Sequence, residues 1–210
     1  MIQIPVSVFA KYLRNRRIAG LKQTKYAEKK ENQIPFKYYR SALSAITRYH
    51  RNGNDPAVFK KAQSDLAKKL AACQKPGGVV IIQNNLRAIF QYQTYFGRRQ
   101  FEIRPVPKLK FPVSNILVSA KVDMHVIEGG EQLLLKLDMC KGKLNESEAR
   151  SLLAITGYAA KQNGLPIPAS NVHLLRLEDG SELQGNKINA SLLTDIQAAA
   201  NEIEQAWNDL

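Results

Sequence analysis

Cysteine is scarce in this sequence, and long apolar runs are absent. Two cysteines, Cys73 and Cys140, occur among 210 residues, and their spacing matches no metal-binding motif. No uninterrupted apolar stretch approaches the roughly 18 residues that a membrane span needs. The first basic residues follow the apolar ones, which is the reverse of their order in a secretory signal. We therefore expect a cytoplasmic protein with reduced thiols and no membrane partner.

Several catalytic loop motifs are missing as well. The sequence has no phosphate-binding loop of the P-loop or dinucleotide type and no nucleophile elbow, which disfavours the enzyme classes that depend on them. The apolar fraction of 44% is typical of a globular chain and not of a disordered one. A chain of this length can bury one good core and carry a helical extension.

Acidic residues are rare in the first half of the chain. Residues 1–111 contain 23 Lys and Arg against 5 Asp and Glu, a net charge of +18, whereas residues 112–210 contain 8 against 13, a net charge of −5. The two halves sum to the overall +13, and 14 of the 16 aromatic residues precede Pro112. Basic and aromatic side chains together predict a DNA- or RNA-binding surface, where rings stack on bases. The alternative is a solvated basic face with the aromatic rings packed beneath it.

The basic residues fall on predicted helices. A short helix capped by Ser7 carries an arginine cluster in its last turn, which either contacts phosphate or complements the helix dipole. Further helices are predicted from Pro35 to Asn52 and from Asp55-Pro56 onward. The stretch from Val79 to Phe96 is predicted to be mostly helical. The cations that we predict to contact nucleic acid are Arg14, Arg16, Arg17, Lys37, Arg40 and Arg48.

The second half of the chain alternates like strands. Residues 99–113, 116–127 and 132–139 predict a three-stranded antiparallel meander, with a hairpin turn at Gly129-Gly130. A helix opened by Asn145 follows, then a strand at 171–178, and then a last helix capped by Ser191. The order of elements predicts an α+β fold.

The hairpin concentrates charge on strands that are otherwise apolar. Side chains alternate along a strand, so Asp123 and His125 share one face of the first strand, and Lys136 and Asp138 share one face of the second. If the two faces coincide, two carboxylates and a lysine meet at one end of the hairpin. Charged residues there are costly unless they are paired, hydrated or bound to a metal.

This order of strand, turn, strand and capped helix resembles the core of the PD-(D/E)xK nuclease superfamily, in particular its RecB-like branch. In that branch an aspartate ends one strand of a hairpin and a D/E-x-K triplet ends the next. The resemblance covers roughly residues 111–184 and departs from the family at three points. Lys141 comes one residue late for D-x-K, Ala154 stands four residues before Tyr158 where the family often has glutamine, and no proline precedes Asp123.

The resemblance implies a restriction-endonuclease-like fold, in which an antiparallel or mixed sheet is flanked by helices. It implies a basic helical region at residues 1–97 and the nuclease-like α/β core at residues 98–210, together forming one compact unit. A nuclease of this type uses Mg²⁺ or Mn²⁺ with hard oxygen ligands. The residues implied are Asp123 and Asp138 as catalytic metal ligands, Lys136 or Lys141 as the catalytic lysine, and Tyr158 as a nucleic-acid contact.

Three functions remain open from the sequence. The first is a metal-dependent DNA nuclease in which Lys136, from the face of Asp138, or Lys141, through a bulge, replaces the displaced lysine. The second is a pseudonuclease that binds nucleic acid or acts as a scaffold without cutting. The third is a structural protein whose basic half meets an acidic protein partner. Glu148 is an additional candidate ligand, and His125 either ligates a metal or faces solvent.

Overall fold

The structure is a computed structural model that describes residues 1–16, 19–29, 38–140, 142, 145–207 and 209–210, and for residues 26–29 the backbone alone. The described helices are α1 (Val6–Asn15), α2 (Ala19–Lys29), α3 (Arg40–Arg51), α4 (Pro56–Ala71), α5 (Pro76–Phe96), α6 (Glu146–Gln162) and α7 (Ala190–Trp207). The described strands are β1 (Ile2–Pro5), β2 (Glu102–Arg104), β3 (Leu109–Val113), β4 (Ile116–Ala120), β5 (Met124–Glu128), β6 (Glu131–Asp138), β7 (Val172–Arg176) and β8 (Glu182–Gln184).

The strands form two mixed sheets. The larger sheet has the order β2-β5-β6-β7-β8, in which β6 and β7 are parallel and the other neighbours are antiparallel. The smaller sheet has the order β1-β4-β3, in which β1 runs parallel to β4. The α+β class is therefore confirmed. None of the described helices combines the length and the apolar character that a membrane-spanning segment requires.

The prediction of a single meander is wrong. The stretch predicted as one strand over residues 116–127 forms two strands, β4 and β5, which lie in different sheets. Buried and more exposed residues keep alternating between β4 and β5, but the buried residues of the two strands pack into different apolar clusters. Val118 and Val122 pack with α1 and α6, whereas Met124 and Val126 pack with α3 and α5. The chain crosses from one apolar cluster to the other at Asp123.

Two apolar clusters cover the two faces of the larger sheet. The α1–α6 cluster is built from α1, α6, α7 and the smaller sheet, with Phe9, Phe111, Leu134 and Leu153 among its members. The α3–α5 cluster is built from the three helices α3, α4 and α5 on the opposite face, and it includes Leu135. Strand β6 serves both clusters because successive side chains point to opposite faces.

The helix limits follow local capping chemistry. The Asp55 carboxylate accepts a hydrogen bond from Ala57 N at 2.9 Å, and the Asn145 side chain accepts one from Ser147 N at 2.9 Å. Both predicted caps are therefore confirmed, and residues 76–96 form one helix. Two other caps were predicted wrongly. Helix α1 begins after Pro5, before Ser7, and the cap of α7 is Asn189, whose Oδ1 accepts from Leu192 N at 2.8 Å.

Candidate functional site

The β5–β6 hairpin brings the predicted charged residues to one face. Gly129 and Gly130 have φ angles of 58° and 88°, which most side chains disfavour and which a tight turn between antiparallel strands requires. The resulting register pairs His125 with Leu134 and Met124 with Leu135. Its continuation sets Asp123 opposite Lys136, and Asp138 follows on the same face, so the predicted sharing of one face is confirmed.

Asp123 is neutralised within the protein. Its Oδ2 accepts a hydrogen bond from Leu137 N at 2.8 Å, and Lys136 Nζ lies 3.7 Å from the same oxygen. The Asp123 and Lys136 side chains are 17% and 24% exposed. A half-buried pair of this kind is held by its geometry, because removal of either partner leaves an uncompensated charge in a desolvated place.

Asp138 is in a less favourable setting. Burial raises the pKa of its carboxyl, and the nearby Glu178 and Asp179 act in the same direction. The Cys140 N–H, which lies 3.2 Å from Oδ1, and the Arg176 guanidinium oppose this rise. A carboxylate with a raised pKa holds its proton more readily than an ordinary aspartate does.

A cavity of about 210 Å³ opens beside Asp138, between α1, the end of β6 and the first turn of α6. Its lining includes the apolar residues Leu152 and Leu174 and, among the described residues, four charged ones: Lys11, Lys136, Asp138 and Glu148. Asp123 does not line this cavity. The described lining therefore combines two carboxylates with two lysines, and Glu148 shares the cavity with Asp138, which lies ten residues earlier in the sequence.

These residues fit a divalent cation poorly. Mg²⁺ and Mn²⁺ prefer several oxygen ligands, and two lysine ammonium groups at the same cavity oppose a further positive charge. Among the residues that the structure describes, no group of three or more His, Cys, Asp or Glu is arranged to hold a metal. The Asp123 carboxylate already has a cation and an N–H as partners.

Sequence reasoning missed three cations near the hairpin. Lys11 comes from α1, and no local signal links it to β6. Lys121 lies close enough to Asp123 and Lys136 for both to act on it, and burial is the main cause that lowers the pKa of Lys121. Its position two residues before Asp123 was an available signal, because that spacing returns to the same face of an extended chain. Arg87 of α5 donates from Nη2 to Met139 O at 3.0 Å.

The two described arginines at the end of α1 have internal partners. Arg14 Nε donates to Ser151 Oγ at 2.6 Å, which joins α1 to α6. Arg16 Nη1 lies 3.3 Å from Glu202 Oε2 in α7, and its guanidinium lies over the Tyr12 ring. Of the other predicted site residues, Arg17, Lys37 and Lys141 lie outside the described residues.

The arginines of α3 are arranged differently. Arg40 and Arg48 are exposed and line a groove of about 450 Å³ between α3 and α4. Lys61 and Lys69 of α4 line the same groove. The structure thus brings two of the predicted nucleic-acid contacts together and adds two lysines that the predicted set did not include.

Tyr158 lies far from the charged cavity. It stands ten residues beyond Glu148 on α6, or about 15 Å at the rise of an α-helix. Its ring packs edge-on against Phe111, with ring centroids 5.4 Å apart. It also lines a separate, largely apolar cavity that has Lys161 and Lys187 at its edge.

Most aromatic residues of the basic half belong to the core. Phe59 and Tyr92 are fully buried in the α3–α5 cluster, and Phe9 and Phe111 are buried in the α1–α6 cluster. Large exposed aromatic side chains in the described part of the chain are Phe90 and Tyr95. The sequence-based picture of interleaved surface rings and cations is therefore wrong for most of these rings, because their apolar area drives them inside.

His125 is engaged within the sheet. Its Nδ1 lies 3.0 Å from Pro105 O and its Nε2 lies 3.1 Å from Gln132 Oε1. Both ring nitrogens thus have hydrogen-bond partners away from the cavity.

No protein-family model matches the sequence, and no curated protein matches it significantly. The resemblance to PD-(D/E)xK nucleases therefore stays an expectation from the sequence.

Proposed function

We propose that this protein binds nucleic acid through α3 and α4, and that its other half is a restriction-endonuclease-like core whose hairpin charges serve structure more than catalysis. The observation that carries the proposal is the set of exposed cations on α3 and α4. Within the described part of the chain, the four that line the groove have no hydrogen-bond or ion-pair partner: Arg40, Arg48, Lys61 and Lys69. Cations in this state can exchange counterions for phosphates.

The arrangement of the core supports the restriction-endonuclease-like assignment. An antiparallel hairpin, β5–β6, is followed by α6, and α6 leads to β7, which runs parallel to β6. Asp123 lies immediately before β5, and Asp138 is the last residue of β6. This is the strand, strand and helix order of the RecB-like branch, with the second acid at the end of its strand as in that branch and the first acid before its strand.

Catalysis is disfavoured because the ammonium group of Lys136 is already paired with a carboxylate. Phosphodiester cleavage needs an activated water and a cation directed at the charge that develops on the phosphate. Lys136 lies on the correct face, but its ammonium group is 3.7 Å from Asp123, which neutralises it. We therefore expect weak or absent cleavage, with the Asp123–Lys136 pair holding the hairpin together.

A metal-dependent nuclease is the second candidate. It is favoured by one observation, the shared cavity of Lys136, Asp138 and Glu148. In that case Lys136 would exchange Asp123 for a substrate phosphate, and it would be the catalytic lysine in place of Lys141.

Binding and cleavage assays with the purified protein separate these functions. Fluorescence anisotropy with labelled single- and double-stranded DNA, across about 50 to 200 mM salt, should show binding that weakens steeply as salt rises. Asp138→Ala should leave that binding unchanged. Absence of salt-dependent binding would refute the proposal and favour an acidic protein partner.

Cleavage is measured on the same DNA with Mg²⁺ or Mn²⁺, using the wild type, Asp123→Ala and Lys136→Ala. We expect little cutting by any of the three. Robust metal-dependent cutting that both substitutions abolish would establish the nuclease and give Lys136 the catalytic role.

A further inference from the structure

The groove between α3 and α4 has a regular arrangement of charge. The two helices are joined by a short turn in which Gly53 and Asn54 have φ angles of 66° and 65°. Residues spaced along both helices line one groove, as in an antiparallel αα-hairpin. Arg40 and Arg48 are eight residues apart on one wall, and Lys61 and Lys69 are eight residues apart on the other. At the helical rise this spacing is about 12 Å on each wall.

The antiparallel order brings these cations into two sets across the groove. Arg48 and Lys61 lie toward the turn, and Arg40 and Lys69 lie toward the other end. Among the described residues, two carboxylates also line the groove, Asp55 and Asp65, and Asp55 is engaged as the cap of α4. In this lining the four cations therefore outnumber the carboxylates by two, and two of the cations lie near each end of the groove.

The uncharged lining adds hydrogen-bond donors. The exposed Ser41 and Ser44 and the side chain of Asn52 line the wall formed by α3 and the turn. Hydroxyl and amide groups commonly bind phosphate oxygens beside arginine and lysine. Among the described residues that line the groove there is no aromatic ring on which a base could stack.

We propose that the α3–α4 groove binds the sugar–phosphate backbone of a single nucleic-acid strand, independently of its sequence. This inference rests on the proposed nucleic-acid binding and specifies where and how it occurs. Packed helices have axes about 8–10 Å apart, so the recess between them is narrower than a duplex, whose major groove alone is about 12 Å wide. A single strand can enter the recess with phosphates facing its walls and bases facing solvent.

Lysine pairs on one helix give a matched test. Lys61→Gln/Lys69→Gln removes two groove cations, whereas Lys60→Gln/Lys68→Gln removes two exposed lysines of the same helix that do not line the groove. The two variants have equal charge change and equal spacing, and each loses one lysine from the last turn of α4. Thermal unfolding of both variants checks that the fold is retained.

Affinity for a labelled single strand of mixed sequence is measured against salt. For Lys61→Gln/Lys69→Gln we expect about tenfold weaker binding and a salt slope that is smaller by about 1.4, because each lost phosphate contact contributes about 0.7 on a single strand. Lys60→Gln/Lys68→Gln should stay within about twofold of the wild type. Equal losses in both variants would overturn the groove while leaving nucleic-acid binding intact, whereas failure of the wild type to bind would refute the proposed function itself.

Two further ligands test the kind of contact. An abasic strand of the same length should bind nearly as tightly as the normal strand, because the groove contacts phosphates and not bases. A duplex should bind with a smaller difference between the two variants. A large loss with the abasic strand would indicate base stacking elsewhere, and an equal difference on duplex DNA would contradict the single-strand assignment.

Discussion

The two sides of the larger sheet use their cations in different ways. On the side of the α1–α6 cluster, Arg14 donates to Ser151, Arg16 meets Glu202, and Lys136 pairs with Asp123. On the side of the α3–α5 cluster, the groove cations have no such partner among the described residues. The end of α1 and the α3–α4 pair are both basic in sequence, so charge density alone does not identify a binding surface. What distinguishes these two sets of cations is whether other described residues already satisfy their charge.

The same two sides also bury ionisable groups of opposite type. His50 of α3 is 4% exposed, its Nε2 lies 2.6 Å from Tyr92 Oη, and its Nδ1 lies 2.9 Å from Asn54 Oδ1. Burial lowers the pKa of His50 to about 4. On the other side, burial raises the pKa of Asp138. Acid should therefore weaken one side of the protein and favour the other.

The largest effect is expected from His50. The folded state holds this ring neutral, so the unfolded state binds one more proton between pH 6.5 and about 4. Stability should fall by on the order of 3 kcal/mol as the pH is lowered through that window, because each pKa unit corresponds to about 1.4 kcal/mol. Urea unfolding of the wild type and His50→Gln at several pH values measures the difference.

His50→Gln keeps a hydrogen-bonding side chain and cannot titrate in this range. Its stability should therefore depend less on pH between 6.5 and 5, where ordinary carboxylates remain ionised. If the stabilities of the wild type and His50→Gln depended on pH in the same way, His50 would not make the α3–α5 side sensitive to acid.

The next largest effect is expected from replacing two arginines on one side of the larger sheet and, in a second variant, two on the other side. Arg40→Gln/Arg48→Gln should weaken single-strand binding about tenfold and change stability by less than about 0.5 kcal/mol, because both residues are exposed and have no partner in the described part. Arg14→Gln/Arg16→Gln should do the reverse, changing binding less than about twofold and lowering stability by about 1 kcal/mol through the lost bonds to Ser151 and Glu202. Anisotropy and urea unfolding of both variants provide the comparison.

Equal loss of affinity in the two arginine variants would remove the distinction between satisfied and unsatisfied cations. The α1 cluster would then be a phosphate contact as well.

The smallest effect is expected from Asp138. Because its folded pKa is raised, the folded state binds the proton more tightly than the unfolded state, and stability rises as the pH falls through this pKa. Asp138→Asn should be as stable as the wild type at pH 7, or more stable by up to about 0.5 kcal/mol, since the amide oxygen can still accept from Cys140 N. Marked destabilisation at pH 7, measured by urea unfolding, would contradict this.

Local chemistry made much of the fold predictable. Asp55-Pro56 and Asn145 fix helix starts through their own side chains, and Gly129-Gly130 fixes the hairpin turn through its backbone. Strand alternation then gave the common face of Asp123, Lys136 and Asp138 correctly. Each of these signals lies within a few residues of the feature that it determines.

The features that were missed depend on partners far away in sequence. Nothing local to Ile2–Pro5 marks its pairing with β4, and nothing in the alternation of residues 116–127 shows that the chain changes sheets at Asp123. The cavity combines Lys11 with Glu148, residues that only the packing of α1 on α6 brings together. Whether a lysine has an internal partner also depends on tertiary packing, which a single sequence does not show.

The parallel pairing of β1 with β4 affects how the chain is made. Ile2 pairs with Ile116, so β1 is synthesised 114 residues before the strand with which it pairs. The α3–α5 helices lie between the two and make mainly contacts between close neighbours, which form quickly. Until β4 and α6 emerge, Phe9 and Leu13 of α1 have no core to enter. For this segment, the order of synthesis and the order of assembly are opposite.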